Sequence, residues 1–226
     1  MGVSSTVATT TVVRTGAERA TLVRRAYSLL FAGILVTMAS VAFARTQPAL
    51  VQLVAAHPFL TFLGVIAPLY AALSVGRAFP ANIGFFGLFT VAEGVWLTPF
   101  LLMYEQMQPG VLTQAGALTL GTFGTLTAYA FYSKRDFSAW GSFFGVGLFV
   151  LLGTMLLNAF FGSGSADLWI AAVGLLVFSG LTVYRTWTIR NLFGPEDYVP
   201  ATISLYLSLL NMFLFMLQLL SGGRRR

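Results

Sequence analysis

The sequence predicts an all-α polytopic membrane protein, and three observations carry that prediction. Of 226 residues, 57% are hydrophobic and only 9% are charged, with a mean hydropathy of +0.82. Soluble chains carry roughly 25% charged residues, so a soluble fold of this size would lack the ions to cover its surface. Seven apolar runs recur along the chain, each near the ~20 residues that cross a ~30 Å hydrocarbon core. Finally, the basic residues gather in alternate loops, as lipid-sorted topology requires.

Residues 1–25, MGVSSTVATTTVVRTGAERATLVRR, are Ser/Thr-rich and end in a basic cluster, and they read as a mobile basic N-terminal tail leading into a helix. MGVSST fits the loose myristoylation pattern, and the basic start resembles a transit peptide. The first match is short and common, and Glu18 interrupts the second, so an ordinary N-terminus is the simpler reading. One transmembrane domain, 26–220, then holds the seven runs at 26–44, 58–76, 82–103, 112–132, 139–160, 168–189 and 199–220. The first run ends AFAR, which imitates a signal-peptidase site after Ala44. Its length and the six runs behind it make it a retained helix instead. PALVQLVAAHP, residues 48–58, is too short to span and is expected at the interface.

Arg14, Arg19, Arg24, Arg25, Arg77, Lys134, Arg135, Arg185 and Arg190 fall on one side of this arrangement, and Arg45 stands alone on the other. Nine against one places the N-terminus in the cytoplasm. The basic C-terminal tail, residues 221–226 (SGGRRR), opposes the rule if the seventh run crosses fully. Either that run crosses and breaks the rule, or it is re-entrant; its length favours the crossing.

The chain has no cysteine and a single histidine, His57, which excludes disulfides, thiolate sites and multi-histidine metal sites. Its arginines are scattered between apolar segments and form no nucleic-acid surface. There is no HExxH, phosphate loop, Cys–His pair or intramembrane carboxylate pair, so neither enzymatic activity nor a cofactor is expected.

Polar groups inside apolar runs carry the functional signal. Gly141 and Gly145, with Gly147 and Gly153 beyond, and Ala117, Gly121 and Thr125 read as close-packing positions. In the last run Ser204, Ser208, Asn211 and Gln218 fall on one helical stripe, which must face protein or water. They form either an interhelical hydrogen-bond ladder or the lining of a polar pathway. Glu93 is the one carboxylate deep in a run, at a cost of about 3 kcal/mol on insertion scales. It serves either function or a buried structural bond. Pro99, on the same run, should bend it. Arg185 lies about 26 Å along its helix, within snorkelling reach of the membrane edge, with Tyr184 and Trp187 as interfacial neighbours.

FSGLTVYRTWTIR followed by DYVPATISLYLSLLNMFLFMLQLL resembles the signature end of the Bax inhibitor-1 family, the transmembrane Bax inhibitor motif or YccA-like proteins. LTAYAFYSKRDFSAWGSFFGVGL, FFGLFTVAEGVWLTPFL and LVRRAYSLLFAGILVT resemble other parts of the same family, in order, over roughly residues 22–220. The resemblance implies seven transmembrane helices, six surrounding a central C-terminal helix. It also implies a pH-responsive aspartate pair that controls a calcium leak. Here those positions carry Arg185 and Ser208, so both carboxylates are absent. Arg185 then occupies the switch position itself, with Glu93, Glu196 or Asp197 as possible counter-charges. Arg77 resembles a basic residue that pairs with the aspartates in relatives, and without them it should be more exposed. The implied function is a calcium or other cation leak, or an ion-homeostasis scaffold, without the pH switch. The alternative is a non-conducting regulator that binds other membrane proteins, such as a membrane protease. Either way, the expected setting is the lipid bilayer of a bacterial inner membrane.

Overall fold

The computed structural model describes residues 16–161 and 164–222. All regular structure among them is helical: α1 (Gly16–Ala44), α2 (Pro48–Ala56), α3 (Pro58–Val75), α4 (Ala81–Met107), α5 (Val111–Tyr132), α6 (Ser138–Phe161), α7 (Gly164–Asn191) and α8 (Tyr198–Gly222), with a 3-10 turn at Pro195–Asp197. Each of the seven predicted runs falls on one helix. Six helices are long and apolar enough to cross a membrane: α1, α3, α4, α6, α7 and α8. The fourth run, α5, has the length at 22 residues, but its threonines and glycines make it more polar. The short stretch after the first run is the nine-residue α2, with Pro48 and Pro58 starting α2 and α3.

One boundary moves. The tail was expected to reach residue 25, whereas α1 begins at Gly16. The reason is tertiary. Leu22 and Ala26 are buried, and Arg25 lies over the Tyr198 ring at 5.7 Å and 4.0 Å from Glu196. The start of α8 therefore holds the first turns of α1. The myristoylation pattern, Arg14 and Arg224–Arg226 lie outside the described residues.

The last helix occupies the interior. It contacts α1, α3, α4, α5 and α7, and none of its residues is exposed. A helix that is apolar nearly all round has no face suited to water and is stable only when enclosed. Thr202 donates to the Ala26 carbonyl at 3.0 Å, and Thr182 donates to Met212 Sδ at 3.4 Å, tying α8 to α1 and α7. α6 does not reach it, because it packs on α7 alone. Phe143, Phe149 and Phe160 of α6 are exposed. Lipid tails suit such a face; water does not.

Close packing uses one of the glycines that the sequence suggested, Gly141, and others that it did not. A Cβ on Gly141 would meet the Tyr184 ring, but Gly121, Gly145 and Gly153 face open space. The tightest backbone approach is at Gly94, where a Cβ would sit 2.6 Å from the Thr37 carbonyl oxygen and 2.7 Å from Ser40 Cβ. There α1 and α4 touch nearly backbone to backbone, as small residues permit in lipid. Pro99 lies inside α4 without ending it.

Candidate functional site

The first cluster forms where α1, α4 and α8 meet. Glu93 is 7% exposed and makes no hydrogen bond or ion pair with any described residue. Thr90, one turn earlier on α4, is also buried. Thr37 of α1 lies 2.7 Å from the Tyr206 hydroxyl and donates toward the Gly33 and Thr90 carbonyls. Tyr206, 1% exposed, is wedged edge-on against Phe86 and Phe89, at ring separations of 5.9 and 5.4 Å. Its hydroxyl is also close enough to Glu93 to interact electrostatically. The result is a short polar seam of one carboxylate and three hydroxyls inside apolar walls, the setting in which intramembrane carboxylates serve ion or proton pathways.

The stripe on α8 departs from one of its two expected roles. Ser204 donates to Ala201 O, Ser208 to Ser204 O and Asn211 to Leu207 O, at 2.8, 3.0 and 2.7 Å. These bonds stay on the helix that makes them, so the stripe is not an interhelical ladder. Short polar side chains in lipid commonly satisfy themselves this way. The cross-helix bonds of α8 involve Thr202, Tyr206 and Met212 instead.

Arg185 also departs from the suggested pairings. No described carboxylate reaches it. Asp197 is taken by Arg77, whose Nε and Nη2 lie 2.8 and 2.7 Å from its Oδ1, and Asp197 Oδ2 accepts the Gly194 N–H at 2.7 Å. Glu196 sits near Arg25. Glu93 lies in the α1–α4–α8 seam and makes no ion pair with Arg185. Arg77 is exposed as expected, with a side chain 67% accessible, yet it has a partner. Exposed pairs are worth about 0.2–1 kcal/mol. Arg77→Ala should therefore cost under ~1 kcal/mol in detergent unfolding, and Asp197→Ala measurably more, because it also uncaps Gly194.

The residue that sequence reasoning passed over is Arg190. It was counted only as a topology signal. Its Nη1 donates to the carbonyls of Ala130, Phe131 and Ser133 at 3.2, 2.6 and 3.0 Å, closing the C-terminal end of α5. A cation there satisfies orphan carbonyls and opposes the helix dipole. A basic residue in the last turn of a helix signals capping. Nothing local says that the capped helix is a different one.

Comparison with known proteins agrees with the fold. A family model described as inhibitor of apoptosis-promoting Bax1 matches residues 19–226. Protein lifeguard 4 of Mus musculus is 31% identical over 211 residues, 92% of this chain and 87% of that protein. Bax inhibitor 1 of Schizosaccharomyces pombe is 32% identical over 206 residues, 89% of this chain and 76% of that one. An uncharacterized membrane protein of Vibrio cholerae is 41% identical over 136 residues, 59% of this chain and 60% of that protein. A match that begins just after the start of α1 and takes in every helix can have only one meaning: this chain belongs to the Bax inhibitor family.

Proposed function

We propose that this protein is a passive cation leak of a bacterial inner membrane, with calcium as the first candidate ion, and that it works without the dicarboxylate pH switch of its family. The observation that carries this reading is Glu93. It is a lone buried carboxylate, unpaired among the described residues, in a membrane-spanning helix beside the Thr37–Tyr206 contact. An unpaired intramembrane carboxylate is costly and is retained where an ion passes or binds. On this reading the closed state is the one in which Tyr206 and its two phenylalanine neighbours fill the seam, and their ring contacts support it. In this reading α5 is the seventh crossing, with Thr119 buried against its neighbours, and α8 is central to every crossing helix but α6. The N-terminus is cytoplasmic by the distribution of basic loops.

Calcium flux into liposomes carrying the purified protein tests this. Flux should be present, and any change between about pH 5 and pH 8 should follow one carboxylate, Glu93, and not the two-step titration of a carboxylate pair. Arg185→Asp with Ser208→Asp should add pH dependence that Glu93→Gln does not remove, and Glu93→Gln in the native chain should reduce flux about tenfold. Absence of flux from both the native chain and the double variant would reject conduction.

One observation favours the second reading, a non-conducting regulator that binds other membrane proteins. Arg185 carries a permanent charge with no counter-ion from the described residues, and such a charge repels cations. On that reading no variant conducts, and a membrane protein such as a protease co-purifies with the native chain from its own membrane.

A further inference from the structure

α6 is attached to the bundle through one neighbour, α7. Two close approaches set that seam. A Cβ on Gly141 would meet the Tyr184 ring, and one on Gly180 would meet the Phe144 ring. One flank of the seam opens into a groove of about 760 Å³. Its floor is Gly147 and Leu151 of α6 with Ile170 and Val177 of α7, and the exposed rings of Phe143 and Trp169 stand at its rim. Gly147 keeps the floor open. A Cβ there would lie 3.5 Å from Val177 Cγ2, an ordinary contact, so the backbone accepts a side chain and a larger one occupies the groove.

The groove is long, apolar and charged differently at its two ends. It runs along α6 from Ser142 to Thr154, about 18 Å at 1.5 Å per residue, somewhat more than one leaflet of a ~30 Å core. Thr154 donates to the Val150 carbonyl at 2.8 Å and asks nothing of an occupant. At the end where α6 begins, Lys134 and Arg135 are exposed on the loop that leads into it. Arg135 is three residues from the first turn of α6, at most about 11 Å of chain. Asp136, between them and the helix, accepts the Ser138 N–H at 2.8 Å. Aromatic rings gather at the same end: Trp140 packs on Phe144 at 5.4 Å, and Tyr184 stacks on Trp187 at 6.3 Å. At the opposite end the charge is acidic, since Asp167 lies two residues before Trp169 and accepts from Asn158 at 2.6 Å.

An apolar chain with a negative head matches each of these features. We propose that the α6–α7 groove binds one anionic phospholipid, with an acyl chain laid along Gly147, Leu151, Ile170 and Val177 and the phosphate headgroup against Lys134 and Arg135. Basic residues beside a membrane-spanning helix attract such headgroups, and tryptophan and tyrosine suit the level at which headgroups lie. The acidic end excludes the reverse orientation. A second copy of this chain is the other object of matching polarity, and charge disfavours it. A two-fold axis along the membrane normal would bring a second Lys134 and Arg135 to the same level, cation beside cation. The lipid fastens α6, which has a single helix for a neighbour, to the rest of the bundle. The site stands independently of whether the α1–α4–α8 seam conducts.

Native mass spectrometry of the full-length protein, taken from vesicles of equimolar phosphatidylglycerol and phosphatidylcholine, tests this. The expected result is about one phosphatidylglycerol retained per chain in preference to phosphatidylcholine. Lys134→Gln and Arg135→Gln should each weaken that retention about fivefold, the share of one cation near a membrane surface. Gly147→Leu should abolish it by filling the groove, and Val150→Trp, at the exposed rim, is a second way to block it. Gly145→Leu, which adds a side chain to the same helix in open space, should leave retention unchanged. Circular dichroism melts establish that each variant folds. Phosphatidylglycerol retention that depends on both the cations and the groove supports the proposal. Equal retention of phosphatidylcholine, or retention that survives both groove-blocking variants in folded protein, overturns it. So does a two-chain species without lipid that Gly147→Leu disperses, which would make the groove an interface between copies.

Discussion

Arg190→Ala is expected to destabilise the folded protein by about 2–4 kcal/mol, because one charged group serves three carbonyls. The side chain spans two helices that are otherwise held mainly by apolar contact, and it seals the end of α5 at Ala130, Phe131 and Ser133. Nη1 has two protons for three acceptors, so the contact is shared and its energy is less than three separate bonds. Removing it leaves the last turn of α5 without a donor, next to the buried Ala130. Denaturant titration in detergent micelles measures the loss. Arg190→Lys should recover less than half of it, since an ammonium cannot fan across three carbonyls from a fixed plane. A loss below about 0.5 kcal/mol for the alanine variant, the size of an ordinary surface change, would mean that the cap is ornamental.

Gly94→Ala comes next, and its effect should run opposite to helix propensity. Alanine in a helix interior is favoured over glycine by about 0.8–1 kcal/mol. At position 94 the added Cβ would meet the Thr37 carbonyl oxygen and Ser40 Cβ. A backbone carbonyl cannot swing aside as a side-chain tip can, so α1 must move. The expected net loss is about 1–3 kcal/mol. Gly87→Ala on the same helix is the control. Its Cβ faces open space, so that variant should be neutral or slightly more stable. Similar melting temperatures for the two would mean that the α1–α4 approach is looser than described. Because Thr37 is also the partner of Tyr206, Gly94→Ala should disturb the closed seam and raise any flux the native protein shows.

How far each of these residues could be read in advance follows from the range of the forces involved. The burial of Glu93 was visible because a carboxylate twelve residues into a run of 82–103 has no route to water. The enclosure of 199–220 was foreshadowed by a run that is apolar on almost every face yet carries a polar stripe. Arg77 was rightly placed on an exposed loop, but its bond to Asp197 was not anticipated, since 120 residues separate the two. Ser204, Ser208 and Asn211 bond to their own helix, so of the two roles that the stripe suggested the interhelical ladder is not the one found. Helical periodicity says which way a side chain leaves its helix; it does not say whether a hydroxyl will choose a neighbouring helix over the carbonyl one turn back. Gly94 and Gly145 look alike in sequence, and only the presence or absence of another backbone beside them tells them apart.

By itself the sequence determined what lipid and water enforce residue by residue: an all-helical membrane protein, apolar runs of crossing length, membership signals of one family, and the absence of the paired carboxylates. Those follow from transfer free energies, which depend on each side chain and its immediate neighbours. Only the tertiary structure decided that Arg190 caps α5, that Asp197 belongs to Arg77, that Gly94 is where two backbones meet, and that Arg185 is left without a counter-charge. Those are questions of register between helices distant in the chain, and register is set by the packing of whole surfaces, which no local window contains.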